Sequence, residues 1–173
     1  DKSVETVAPL DTPILDIEQK VEKRARWILK QQRFFESFMP YTPPRQYIAG
    51  ETHKYLGKHY LLKIQQSEEE KVVLRSGNLL VQTQHPFDRN HIKTMVQAWY
   101  IQNAKRWFSQ ILEECFPLFK KEKISFPILQ TKRMSHRWGS CLPDGRIVLH
   151  PDIIQASVGC IRYVIIHELS HLV

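Results

Sequence analysis

The sequence predicts an α+β fold, and three observations carry that prediction. Apolar residues at helical spacing alternate with segments of period two, in the order helix, β-ribbon, long helix, strand pair, helix. Turn signals separate them, chiefly the prolines around position 43, Gly57, Ser76-Gly77-Asn78, Pro117 and Pro143-Asp144-Gly145. The 173 residues, 42% of them hydrophobic, suffice for one core with room for a small satellite.

The first thirteen residues are polar and contain proline, and residues 4–8 read as the tail of a strand. Residues 14–38 read as a helix, with Ile17, Val21, Ala25, Ile28 and Phe35 as its apolar stripe and Lys20, Lys23, Arg24, Lys30 and Arg33 on its polar faces. Met39-Pro40-Tyr41-Thr42-Pro43-Pro44 ends it as a linker. Strands are expected over 46–49, over 50–55 and 58–64 about a turn near Gly57, and over 71–75 and 79–83 as a hairpin. Tyr55-Leu56-Gly57-Lys58 is not a phosphate loop, having one glycine and no following helix.

Asp88 is placed to cap a long helix from Arg89 to about Phe116, ended by Pro117. Its expected buried stripe is Ile92, Met95, Val96, Trp99, Asn103, Trp107, Ile111, Leu112 and Cys115. Then come a strand over 128–132 that continues extended to Ser140, a hairpin turn at Pro143-Asp144-Gly145 and a return strand over 146–150. A helical turn over 151–156 leads to a last helix with Ser157 as its N-cap. Val158, Ile161, Val164, Ile165, Leu169 and Leu172 recur at helical spacing there, and Tyr163-Val164-Ile165-Ile166 predicts a buried core helix. The coarse division is 1–84, helix and ribbon, and 85–173, the core around the last helix.

The net charge of +7 admits nucleic acid or another acidic surface as a partner, and it equally fits solvated helix faces. Cys115, Cys141 and Cys160 are an odd number without a C-x-x-C pair, which excludes a disulfide framework and a zinc finger. Each reads as a small buried apolar residue, and a reducing, cytoplasmic setting is expected. The N-terminal ten residues lack the apolar core of a signal peptide, and no apolar run approaches a membrane span.

The chemistry concentrates in His167-Glu168-Leu169-Ser170-His171, an H-E-x-x-H pattern. On a helix, positions four apart share a face, roughly 40° apart in azimuth and about 6 Å along the axis. Two imidazoles so placed can share one Zn²⁺, and Glu168 at the flank suits a general base. The chemistry this suggests is hydrolysis of a peptide bond by water activated at the metal. A catalytic zinc commonly takes three protein ligands. His136 and His150 are weak candidates for the third, and Arg137, His136 and Tyr163 are candidates to stabilise an oxyanion. His53, His59, His85 and His91 read as surface or capping residues.

Arg133-Met134, Arg137-Trp138-Gly139-Ser140-Cys141, Gly145-Arg146-Ile147-Val148-Leu149 and Tyr163-Val164-Ile165-Ile166-His167-Glu168-Leu169-Ser170-His171-Leu172 together resemble the YgjP-like predicted zinc metallopeptidases, relatives of the SprT-like proteases. Trp27-Ile28, Tyr55-Leu56-Gly57-Lys58-His59-Tyr60 and Trp99 extend the likeness upstream. The resemblance implies a zincin-like core, with the long helix packed on the H-E-x-x-H helix beside a small mixed sheet. It implies Zn²⁺ on His167 and His171, with Glu168 as the catalytic acid/base. It further implies a third histidine after Val173, so an incomplete, weakly loaded or inactive site is expected within this stretch. His150 stands where the family more often has Asn, and Val158 where proline is common.

Arg137, Trp138, Gly139 and Ser140 are expected on an edge strand above the metal, where an extended peptide substrate can add by main-chain hydrogen bonds. Trp138 and Gly139 also fit a packing role, with Gly139 admitting a close approach to the metal helix. Two alternatives to the peptidase reading stay open. One is a DNA-associated repair protease or nucleic-acid-binding module, suggested by the charge and the SprT-like kinship. The other is a non-catalytic domain with a degenerate metal site.

Overall fold

The computed structural model describes residues 4–36, 44–122, 124–135 and 137–173. The chain divides into two compact units, Asp1–Pro44 and Arg45–Val173. In the first, helix α1 (Ile14–Glu36) starts at Pro13, whose carbonyl accepts from the N–H groups of Asp16 and Ile17. Pro13 lacks the N–H that a first turn leaves unpaired, so it opens the helix without loss. Residues 4–8 form no strand and lie along α1, where Val4 to Val7 and the Lys20–Ile28 stretch enclose a shallow cavity. Residues 37–38 of the expected helix, most of the expected linker and His136 lie outside the described residues.

The second unit holds two sheets and two helices. Strands β1 (Thr52–Tyr55), β2 (Lys58–Gln66), β3 (Lys71–Arg75) and β4 (Asn78–Thr83) form a sheet in the order β1-β2-β4-β3. Two antiparallel hairpins are joined by a parallel β2/β4 pairing. Both hairpins turn on two residues with positive φ, Leu56-Gly57 and Ser76-Gly77. That is the geometry whose twist matches the flanking strands. Residues 46–49 form no strand. Period-two burial is clean in β4, where Leu79, Val81 and Thr83 face inward.

Helix α2 (Arg89–Cys115) begins at Asp88, whose carboxylate accepts from the Asn90 and His91 N–H groups. Its buried line is Ile92, Val96, Tyr100, Ala104, Phe108, Ile111, Leu112 and Cys115. The centre of that line differs from the expected stripe, because Trp99, Asn103 and Trp107 sit at its flank. There Trp107 Nε1 donates to Tyr55 Oη at 2.8 Å and Tyr55 Oη donates to Asn103 Oδ1 at 3.2 Å. Side chains with polar atoms take positions where those atoms are satisfied, and purely apolar neighbours take the middle.

The second sheet has three short strands, β5 (Leu129–Thr131), β6 (Gly139–Cys141) and β7 (Ile147–Leu149), in the order β5-β7-β6. The expected β6/β7 hairpin forms, but residues 132–135, 137 and 138 are not extended strand, and β5 pairs in parallel on the other side of β7. β7 is therefore central, and all three of its residues are buried. A 3-10 turn over Pro151–Gln155 leads to α3 (Val158–Ser170), which packs on α2 and β6. The β1–β2 turn rests on this junction: Leu56 N–H donates to Ile154 O at 2.8 Å and Gly57 N–H to Gln155 O at 3.2 Å. Contacts of the four-stranded sheet thus run to α2 and the turn before α3, within the second unit. No helix among the described residues is long and apolar enough to cross a membrane.

Candidate metal centre

Helix α3 is built from its N-cap upward. Ser157 Oγ accepts from the Cys160 N–H, and Gly57 of the neighbouring turn closes on Ser157, where a Cβ on Gly57 would stand 3.0 Å from the Ser157 Cα. Ile161, Ile165 and Leu169, four residues apart, have no exposed surface and fix the rotation of the helix. The opposite face carries Tyr163, His167 and His171, also four apart and all exposed. The helix is thus amphipathic and not buried all round as the apolar run suggested, and Tyr163 stands 70% exposed.

The two halves of the H-E-x-x-H pattern fall in different environments. The rings of His167 and His171 meet edge to face with centroids 4.9 Å apart, and their Nε2 atoms stand 3.3 Å from each other. Tyr163 stacks on His167 at 6.3 Å. The pair occupies the carbonyl end of α3, where the partial negative charge of the helix favours a cation. Glu168, about 100° further round the helix, is 6% exposed. Among the described residues no hydrogen-bond donor or cation pairs with its carboxylate.

Strand β6 covers Glu168. At Gly139 an added Cβ would lie 2.4 Å from Glu168 Oε1, 2.8 Å from its Cγ and 2.9 Å from its Cδ. The position therefore admits no side chain while the glutamate holds this place. β6 is the edge of its sheet. His150 N–H donates to Trp138 O and Leu142 N–H to Arg146 O, each at 2.8 Å. Bonded and unbonded pairs alternate in an antiparallel ladder. Ser140 thus bonds toward β7, and Gly139 and Cys141 turn their N–H and C=O groups to the open edge.

A cleft of about 670 Å³ lies between this edge and α3. Arg137, Trp138, Gly139 and Ser140 line one wall, with Cys141 beyond them, and Tyr163, His167, Glu168 and His171 the other. All four expected substrate-binding residues thus face the expected metal and catalytic residues. Of the oxyanion candidates, Arg137 and Tyr163 are in the cleft. Burial, together with the Glu168 and Asp144 carboxylates, pushes the Cys141 thiol above its ordinary range, so it stays protonated.

His150 does not join the pair. Its Nδ1 accepts from the Asp152 N–H at 3.2 Å, capping the 3-10 turn, and its ring packs edge-on against Trp138. Among the described residues no group of three His, Cys, Asp or Glu side chains is arranged to hold a metal ion. Two further expectations change. Cys160 is exposed and Cys141 half-buried, leaving Cys115 as the buried thiol. His53 is fully buried between Tyr47 and Tyr100; neither ring nitrogen makes a well-aligned hydrogen bond, although Nε2 stands 3.4 Å from the Glu51 carboxylate. Its place at an inward position of β1, between the outward-facing Thr52 and Lys54, was the available sequence signal.

No curated protein and no solved structure matches the chain. A family model described as YgjP-like, metallopeptidase domain, matches residues 1–173, the entire sequence, and the chain with its paired histidines beside a cleft and a glutamate beneath an edge strand belongs to that family.

Proposed function

We propose that this protein is a zinc-dependent peptidase in which His167 and His171 hold the metal and Glu168 is the general base. The observation that carries the proposal is the 3.3 Å separation of the two Nε2 atoms. Two ligands about 2.05 Å from a tetrahedral ion stand roughly 3.3 Å apart, so the spacing of the two nitrogens matches a shared zinc ion. Neutral imidazole is the commonest donor to zinc, and the third ligand is expected from the histidine that family resemblance places downstream of His171. The packing of α2 on α3 beside a small sheet is compatible with a zincin-type core.

Zinc at this position supplies Lewis-acid polarisation of a carbonyl and acidification of water. The protein supplies the rest. The open N–H and C=O groups of Gly139 and Cys141 bind an extended peptide along β6 and hold one of its carbonyls over the histidine pair. Glu168, shielded by β6 from bulk water, takes a proton from the attacking water at its carboxylate and returns it to the leaving nitrogen. Arg137 and Tyr163, both in the cleft, are the side chains we assign to donate a hydrogen bond to the developing oxyanion.

Zinc content and cleavage of an unstructured polypeptide test this together. Glu168→Gln is expected to keep its zinc and lose about 10²–10⁴ in kcat, the usual weight of one acid/base group. His171→Ala is expected to lose both zinc and cleavage. Equal zinc in His171→Ala and the unaltered protein would remove the ligand assignment, and undiminished cleavage by Glu168→Gln would remove the base.

A further inference from the structure

A second cavity, of about 520 Å³, adjoins the cleft and shares Trp138 and Val164 with it as a common wall. We infer that this cavity is a side-chain pocket selecting peptides with a large apolar residue, aromatic or leucine-sized, within three positions of the scissile bond. The inference rests on the peptidase reading and names the substrate class that reading leaves open.

Position is the first argument. The wall contributed by α3 is Cys160 and Val164, seven and three residues before His167. At 1.5 Å per helical residue the pocket lies roughly 4–11 Å along the axis from the histidine pair. An extended peptide advances about 3.3 Å per residue, so one to three residues span that distance. A peptide lying in the cleft therefore passes the mouth of the pocket close to its reacting bond.

Chemistry is the second. The apolar part of the lining is Trp138, Ile153, Ala156 and Val164. Trp138 is 60% exposed, although its ring meets that of His150 at 5.4 Å, nearly perpendicular. Two of the polar groups that line it are engaged by the protein itself, and the exposed Lys54 also belongs to the lining. Gln155 Oε1 accepts from Arg45 at 2.7 Å, and the Asp152 carboxylate lies 4.0 Å from Arg133. What is offered to a ligand is an apolar patch that includes the Trp138 indole, with Lys54 beside it, in a volume ordinary for a binding pocket. Ala156 is the smallest of the lining side chains and leaves the pocket its depth.

The test uses hexapeptides of alanine and serine in which a single Phe occupies each position in turn, with Glu168→Gln protein as the binding partner and calorimetry as the readout. Phe in one register is expected to bind at least tenfold tighter than the Phe-free peptide, and Ala156→Trp is expected to erase that difference. The exposed thiol of Cys160 gives a readout that needs no pocket variant. Its alkylation by N-ethylmaleimide, located by peptide mapping, is expected to slow about tenfold with the tight-binding peptide and not with the Phe-free one. Equal affinity in every register overturns the pocket, as does tight binding that neither Ala156→Trp nor Cys160 protection registers. If Glu168→Gln binds selectively and the unaltered protein cleaves none of the peptides, the peptidase reading falls and the pocket stands. If cleavage occurs without preference for Phe, the pocket falls and the peptidase reading stands.

Discussion

Gly139→Ala isolates the contact between β6 and Glu168. The new methyl carbon would sit 2.4 Å from Oε1, with Cγ and Cδ also under 3.0 Å. Ordinary carbon contacts begin near 3.5 Å, so the overlap is about 1 Å. The overlapped atoms belong to a side chain that can rotate and not to backbone. The cheapest response is for the carboxylate to leave its place. The expected stability loss is therefore at the low end of overpacking costs, about 1 kcal/mol. The expected loss in kcat/KM is about 10²-fold, the effect of an ångström's misplacement at a reacting group. A double-mutant cycle separates this from general damage. In a Glu168→Ala background all three overlapped atoms are gone, so Gly139→Ala should cost nothing further in urea unfolding. A cost of the same size in both backgrounds, or full activity in Gly139→Ala with zinc retained, would refute the reasoning.

Two other perturbations probe the scaffold that carries the site. Burial pushes the His53 imidazole below its ordinary value of 6.5, Arg45 adds to the shift, and Glu51 opposes it. The unfolded chain then binds that proton more readily than the folded protein. Stability is fully present above pH 6.5 and is lost as the pH falls through the folded-state value. Urea midpoints between pH 7.5 and 5 should fall in the unaltered protein and fall less in His53→Leu; parallel profiles would exclude His53 as the cause. Gly57→Ala combines a φ of +79° with a Cβ 3.0 Å from the Ser157 Cα. It should cost about 1–3 kcal/mol in the same unfolding assay, and an unchanged midpoint would show that the turn does not bear on the α3 cap.

The local devices were legible in the sequence because each is decided by a few adjacent residues. Asp88 and Ser157 cap the helices they were expected to cap. The two short hairpins form around Gly57 and Gly77, where the chain needs positive φ. The pairings between distant segments were not legible. The parallel β2/β4 ladder and the position of β7 between β5 and β6 depend on which strands bury their apolar faces against α2 and α3. Period-two alternation marks a strand's faces and says nothing about its neighbour. The same holds for the first residues: 4–8 were expected as the tail of a strand, yet they form none, and Val4 to Val7 lie along α1.

The H-E-x-x-H pattern shows both limits in one helix. Its spacing alone sets the two histidines on one face, and the structure bears that out to 3.3 Å between nitrogens. The burial of the glutamate follows from nothing in the motif. Ile161, Ile165 and Leu169 turn the helix so that Glu168 points under β6, and Gly139 leaves the only kind of surface it can lie against. A carboxylate so held lines the same cleft as the histidine pair and is largely withdrawn from bulk water, which suits the general-base role proposed for it. With Glu168 exposed, the same histidine pair would suit the proposed metal equally well, but water would compete for the place of the carboxylate. The residue that distinguishes the two cases is therefore Gly139, on a strand that the motif never mentions.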